Sequence, residues 1–497
     1  MIFSNRMSGG SGARGARQAM PSLFVSLIPI IVLLAALVLI IAVKGAALVQ
    51  DYSYYILLAA SAGGILLGMA FTSRTRRCLL PGIAKSARQI LPAVPILLLI
   101  GTLSATWMFS GLVPTLIDYG LRLLSPSLFL VTACLICAVV SVVTGSSWTT
   151  IATIGVALLG VGTVMGYSPG WVAGAIISGA YFGDKVSPLS DTTILASSSC
   201  GVNLFTHIRF LMLTSMPAMA VALVVYLGVG MTSELTDGAK AQAISEALHR
   251  SFVITPWVLL IPLITVIMIA TRRGTVVTLA VGTVAGLIGM WVLQPGITSA
   301  LGAGSVTDNI LLSLRLLLTD TSIPMGDPTL ESLTSTGGVS GMMGTVYLVL
   351  SAMLFGGVMM GTGMMTVITH AITSRLRRTS RLVTTTVASG LFLNSCTGDQ
   401  YLSIILGGNV FKKAYRRRNV KPQVLSRTLE DSISVTSVLI PWNSCGVTQS
   451  TVLGVATLIY FPFCIFNIMS PVMSIAMAWI GWKLHHTVEA VPAEAAA

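Results

Sequence analysis

Long apolar runs alternate with short polar or basic stretches along most of the chain. A helix needs roughly 20 apolar residues to cross the hydrocarbon core of a bilayer. Nine runs approach that length: Leu23–Val43, Tyr54–Phe71, Ile90–Phe109, Leu128–Val143, Ile208–Leu227, Val258–Ala270, Val276–Leu293, Val346–Met360 and Val455–Ile480. The pattern predicts an all-α polytopic membrane protein. Residues 1–21 are rich in Gly, Ser and Arg and read as a disordered cytoplasmic tail. The run after them is too long for a signal-peptide core and lacks a small-residue cleavage site, so it reads as a retained first span. Residues 483–497 read as a C-terminal tail.

Composition agrees. Only 9% of the 497 residues are charged and 54% are hydrophobic, against about 25% charged in soluble domains. Such a chain exposes apolar surface to lipid. The net charge of +13 raises the question of nucleic acid, but its placement answers it. Basic residues cluster beside the apolar runs, at Arg74–Arg77, Arg272–Arg273, Arg375–Arg381 and Lys412–Arg418. This is the positive-inside pattern; it implies membrane lipids as neighbours, no nucleic acid, a bacterial inner membrane and both termini in the cytoplasm. Met231–Ser251 and Gly296–Met343 are charge-balanced or acidic and read as external. In the former, Ile244, Leu248 and Phe252 have the spacing of a helix lying on the surface. Cys134 and Cys137 form a C-x-x-C inside an apolar run and read as small buried hydrophobes.

Two interrupted stretches break the alternation of spans. Leu382–Phe411 lies between two basic clusters, so both its ends belong on one side. Its roughly 30 residues are too few for two crossings at about 1.5 Å per residue, and its middle is Asn394-Ser395-Cys396-Thr397-Gly398-Asp399. A re-entrant hairpin with a polar tip is expected. Leu128–Val164, interrupted by Thr144–Thr150, is its counterpart from the opposite side. Ser199-Cys200-Gly201-Val202 recurs in the second half as Ser444-Cys445-Gly446-Val447. An acidic segment precedes each, Phe182–Asp191 and Leu429–Ser432. The shared order predicts two inverted repeats, each with a re-entrant hairpin and a broken helix. Residues 22–89 then form N-terminal scaffold spans, 90–229 the first repeat, 230–343 external loops and linker spans, and 344–482 the second repeat. Inverted repeats of this kind recur in secondary transporters.

Carboxylates inside a membrane are costly, about 2.5–3.5 kcal/mol on insertion scales, and usually functional. Asp184, Asp191, Asp399 and Asp431 sit in or beside apolar segments. Broken helices add free carbonyls and half-helix ends, and the neighbouring hydroxyls and amides supply the oxygens that hard alkali cations prefer. The expected ion or substrate ligands are Ser146, Ser147, Thr149, Asp184, Asp191, Asn394, Thr397, Asp399, Asn443 and Ser444, with Asp399, Asp184, Asn394 and Ser147 as the sodium candidates. In the plainer reading Asp184 pairs with Lys185 or caps a helix. Glu430 equally fits the cytoplasmic interface beside Arg427, and His207 an interfacial position. No cofactor is expected.

The chain resembles the NhaC family of sodium/proton antiporters. The resemblance rests on GSSWTTIATIG (Gly145–Gly155), GAIISGAYFGDKVSPLSDTT (Gly174–Thr193), the Asn394 to Tyr401 segment, LSRTLED (Leu425–Asp431) and PWNSCG (Pro441–Gly446). It spans roughly residues 20 to 480. It implies the fold of the wider ion-transporter superfamily, with paired hairpins, elevator-like movement and a homodimer. Many relatives would carry an acid near Met359 or Met360, where this chain has none. The leading expectation is sodium/proton antiport, in which proton and cation compete for one buried carboxylate. The alternative is sodium- or proton-coupled transport of a small organic anion or amino acid, since relatives include such exchangers. An intramembrane aspartyl protease is excluded because G-x-G-D fails at Tyr181 and Cys396, so no enzyme is expected.

Overall fold

The computed structural model describes residues 20–44, 49–72, 75–91, 93–233, 238–271, 273–302, 305–323, 334–373 and 378–481. Both expected tails therefore lie almost wholly outside the described residues, as do Arg74, Arg272, Arg375 and Arg377. The described residues form helices, turns and one isolated bridge, Thr321 to Thr336. The protein is an all-α polytopic membrane protein. Among the described residues, seven helices are long and apolar enough to cross a membrane, or up to ten if each of three bent pairs counts as one span.

The first spans are α1 (Leu23–Lys44) and α2 (Val49–Phe71). Next comes α3 (Thr75–Ile90), where sequence reasoning saw only a basic connection. Its Gly82 faces the Gly357 carbonyl, and a Cβ there would lie 2.8 Å from it. Small residues that let helix backbones touch are a common basis of membrane helix packing. Helices α4 (Ala93–Phe109) and α5 (Leu112–Leu123) bend by 65° around Gly111, which adopts φ 78°. The first interrupted stretch is α6 (Phe129–Thr144), a break at Gly145-Ser146, then α7 (Ser147–Thr150), a π turn at Ile151–Gly155 and α8 (Val156–Val164). The broken span follows, α9 (Pro169–Val186) and α10 (Asp191–Cys200), and then the long α11 (Leu204–Thr232).

Between the halves lie α12 (Gly238–Ser251), α13 (Leu260–Ala270), α14 (Thr275–Leu293), α15 (Pro295–Ala300) and α16 (Val306–Leu318). Leu248 of α12 and Phe252 just past its end are both nearly fully buried in the core; the side chain of Ile244 lies outside the described residues. Asp118 anchors this helix, accepting from Ser245 and lying within 3.3 Å of His249 Nε2.

The second half contains α17 (Gly338–Gly361), α18 (Met364–Thr373), α19 (Thr379–Thr397), α20 (Gln400–Arg416), α21 (Pro422–Leu429), a π turn at Glu430–Ser434, α22 (Ser444–Leu453), α23 (Thr457–Tyr460) and α24 (Ile465–Ile480). One expected span fails. Val455–Ile480 is not a single helix, because Phe461-Pro462-Phe463 forms a 3-10 turn and Cys464 (φ −79°, ψ 66°) leaves the helical region. Pro462 has no N–H to continue the ladder.

The backbone breaks recur on a different register from the Ser-Cys-Gly-Val match. Thr144-Gly145 corresponds to Thr397-Gly398, with Gly145 at φ 68° and Gly398 at φ 66°. Ser190 and Asn443 cap α10 and α22, Pro169 and Pro422 open α9 and α21, and Gly201 and Gly454 close α10 and α22 at φ 73° and 65°. All these pairs share one constant offset. On this register the Ser-Cys-Gly-Val identity is accidental. Gly201 ends a helix in the left-handed region, whereas Gly446 lies inside one. The two acidic segments also do not correspond, since Asp184 matches Ser437 and Glu430 matches Ile177.

The second break rests on α17. A Cβ on Gly398 would lie 2.6 Å from the Ala352 Cβ, and one on Gly356 would lie 2.9 Å from the Thr397 carbonyl. Gly356→Val is therefore expected to cost about 1–3 kcal/mol by overpacking. Gly344→Val on the same helix, where a Cβ meets nothing within 4 Å, is the control, and comparing thermal unfolding of the two variants in detergent checks it.

Candidate functional site

Each half stitches its helix break to its broken span. In the first, Gly145 supplies the left-handed turn and Ser146 the extended residue (φ −149°, ψ 114°), whose hydroxyl caps Thr149 N–H. Thr149 donates its own hydroxyl to Ser146 as well. Ser147 then donates from both N–H and hydroxyl to Asp184 Oδ2, at 3.1 and 2.7 Å. In the second, Asp399 is the extended residue and accepts from Leu402 N–H at 2.8 Å. Thr397 braces that turn through Ser403 and the Asp399 backbone. Ser444 donates its N–H to the Gly398 carbonyl at 2.8 Å and its hydroxyl to Asp399 Oδ2 at 3.4 Å. The contact of Ser147 with Asp184 has its counterpart in the second half, where Ser437 donates to Gln400 Oε1 at 3.3 Å.

A narrow polar crevice lies between Asp184, which Ser147 of the first break holds, and Gln400 of the second break. Tyr181, Asp184 and Lys185 reach it from α9, Thr192 from α10, Gln400 from the second break, and Glu430, Ser434 and Val435 from the second π turn. None of its lining residues belongs to 230–343. The halves also interlock around it, α10 packing on α20 and α22 on the first π turn.

Several expected ligands are engaged elsewhere. Asn394 donates to the Ile433 carbonyl at 2.7 Å and accepts from Asn443, whose own oxygen caps Cys445 N–H. These two amides clamp the second break to its broken span. Asp191, at the first turn of α10, is exposed. The pairing of Asp184 with Lys185 does not occur. Lys185 is almost fully buried and is ion-paired with Asp431 instead, donating also to Ser470 Oγ at 2.8 Å. Asp431 accepts further from Thr214 and Ser470, and Arg427 Nε lies 3.8 Å from its other oxygen. His207 is not interfacial by exposure: it is fully buried, its Nδ1 2.8 Å from Ser426 Oγ.

The sequence leaves Glu430 open between a site role and the cytoplasmic interface beside Arg427. It is fully buried in the crevice, and neither carboxylate oxygen has a hydrogen-bond partner. Its neighbour Arg427 stacks over Phe210, 5.5 Å from the ring centroid. Glu430 opens the second π turn, whose Ser434 and Val435 side also lines the crevice; such turns often mark functional positions. Met359, near which relatives were expected to carry an acid, packs in an apolar cluster with Ala352 and Phe355.

The sequence model of the Na+/H+ antiporter family matches residues 17–202 and 179–482. The chain belongs to that family. It is 38% identical over 386 residues to the Na+/H+ antiporter NhaC of Alkalihalophilus pseudofirmus, covering 78% of this chain and 81% of the relative. It is 34% identical to the Na+/H+ antiporter NhaC of Bacillus subtilis over 80% of this chain and 86% of that one. Relatives named for other substrates are similar too. The malate-2H+/Na+-lactate antiporter of Bacillus subtilis is 31% identical and the arginine/ornithine antiporter ArcD of Halobacterium salinarum 32%, each over 85% of this chain and 87% of the relative. The chain is thus an antiporter and a multi-pass membrane protein, not an enzyme.

Proposed function

We propose that this antiporter exchanges sodium for protons by alternating access. The observation that carries the reading is the placing of Asp184. A carboxylate held by Ser147 at the first helix break faces Gln400 of the second across a polar crevice. A cation and a proton compete for such a group, since each neutralises it and both cannot occupy it together. Inverted repeats at 90–229 and 344–482 fit the constant register on which breaks and caps recur. In this reading Leu128–Val164 and Leu382–Phe411 are re-entrant hairpins, which carry the site past the scaffold in an elevator-like step. The glycine contact of Gly356 with the second break supplies a smooth surface for it. A homodimer in the bacterial inner membrane with both termini cytoplasmic completes the proposal.

The family also holds exchangers named for organic acids and for basic amino acids, so the substrate is chosen by the site. Asp184 and Glu430 make the crevice acidic, which favours a cation over a carboxylate. Reconstitution in liposomes tests this. An outward sodium gradient should acidify the lumen of vesicles holding an internal pH dye, with saturation in sodium. Lumenal pH that ignores sodium but responds to malate, lactate, arginine or ornithine gradients would replace the proposal with the corresponding exchange.

A further inference from the structure

Four unpartnered buried oxygens converge on the crevice: the Tyr181 hydroxyl, both Glu430 oxygens and the Ser434 hydroxyl. Buried polar atoms are nearly always satisfied, so a cluster of exceptions on one cleft points to a ligand that completes them. Glu430 is the decisive member. An ionised carboxylate sealed from water, with only the poorly aligned hydroxyls of Ser434 and Thr192 beside it, is strongly disfavoured, so such a group holds a proton or a cation. The nearby cations are paired elsewhere: Lys185 lies close enough for its charge to be felt but is ion-paired with Asp431 and bonded to Ser470, and Arg427 stacks on Phe210 and leans toward Asp431. Nor does the fold require an acid there. The corresponding position of the first half is Ile177, fully buried in the equivalent broken span. The first half builds that helix with an apolar residue.

We propose that Glu430 is a second exchange carboxylate, which trades a proton for a small monovalent metal cation that it shares with Asp184. This rests on the antiport reading and deepens it by assigning the group that carries a proton. The exchange balances: the O–H bond of Glu430 breaks, the proton leaves to water, and the cation takes up the charge left behind. Tyr181, Ser434, Thr192 and Gln400 offer the remaining oxygens, a hard set suited to sodium.

The test compares wild type, Glu430→Gln and Glu430→Asp as full chains in weakly buffered detergent, with sodium chloride against choline chloride at equal ionic strength. Gln mimics the protonated acid. Glu430→Gln should therefore keep its thermal midpoint in choline, lose most of the sodium-induced rise seen in wild type, and release about one proton fewer per chain on sodium addition. Glu430→Asp should retain release with sodium affinity weakened about tenfold, near 1.4 kcal/mol. A midpoint that falls in choline, or a chain that fails to fold, would make Glu430 an ionised structural anchor and overturn the proposal. So would unchanged proton release and an unchanged sodium shift in Glu430→Gln. If wild type itself neither releases protons nor exchanges sodium in liposomes, the antiport reading falls first. If wild type exchanges and Glu430→Gln matches it, only the role of Glu430 falls.

Discussion

Asp184→Asn lowers the initial rate of sodium-driven proton movement in liposomes by about 100-fold, equivalent to roughly 2.7 kcal/mol. The substitution removes the charge that attracts the cation and the group that binds the proton. It leaves one amide oxygen to accept from Ser147 N–H or hydroxyl, so the first break keeps its stitch and the chain folds. Asp399→Asn is the matched comparison. Asp399 caps α20 through Leu402 N–H, and Asn caps a helix about as well as Asp. With its two oxygens already held by Leu402 and Ser444, the expected loss at Asp399 is under about tenfold, near 1.4 kcal/mol. Equal and large losses in both variants, with unchanged thermal midpoints, would instead make Asp399 a full partner in binding. Wild-type exchange in Asp184→Asn would remove Asp184 from the mechanism.

How much of this was legible in the sequence varies with the kind of signal. Eight of the nine apolar runs correspond to helices, because hydrophobic length is a property of each segment alone. The breaks at Gly145 and Gly398 were legible too, as polar interruptions that no lipid-facing helix tolerates. The register of the halves was not. It is carried by single residues at caps and turns, Pro169 against Pro422, Ser190 against Asn443 and Thr144-Gly145 against Thr397-Gly398, spread too far apart along the chain to stand out as a match. The four-residue match Ser-Cys-Gly-Val outweighed these cues although its two copies occupy opposite ends of their helices. The pairing of Asp184 with Lys185 was avoidable. Adjacent residues on a helix do not face each other, and on α9 the two side chains leave in different directions, one to Ser147 and the other to Asp431. Glu430 was hidden by its basic neighbour and by a π turn that periodicity does not foresee.

The charges peculiar to one half bear on how the site is held. On the register set by the breaks, Lys185, Arg427 and Asp431 correspond to Val438, Gly174 and Ser178, so repeat symmetry does not demand them. Lys185 and Asp431 are both almost fully buried, and Asp431 also faces Arg427. Breaking a buried pair from one side strands the other charge and costs about 3–5 kcal/mol. The two sides are not equivalent here. Asp431→Asn strands both Lys185 and Arg427, so it should show the full loss. Lys185→Met leaves Asp431 with Arg427, Thr214 and Ser470, and Arg427 needs to close less than an ångström to form a hydrogen bond. Its cost should be the smaller, about 1–3 kcal/mol. Removing both in Lys185→Met/Asp431→Asn should recover stability relative to Asp431→Asn alone, because one stranded cation is gone. Thermal unfolding of the three variants in detergent, read as the fraction of soluble monodisperse protein after heating, orders them. If Lys185→Met proves costlier than Asp431→Asn, Arg427 does not take over the carboxylate. The cation that matters to Asp431 is then Lys185 alone, fixed beside Asp184 on α9, and the ion pair ties the first broken span to the second across the crevice.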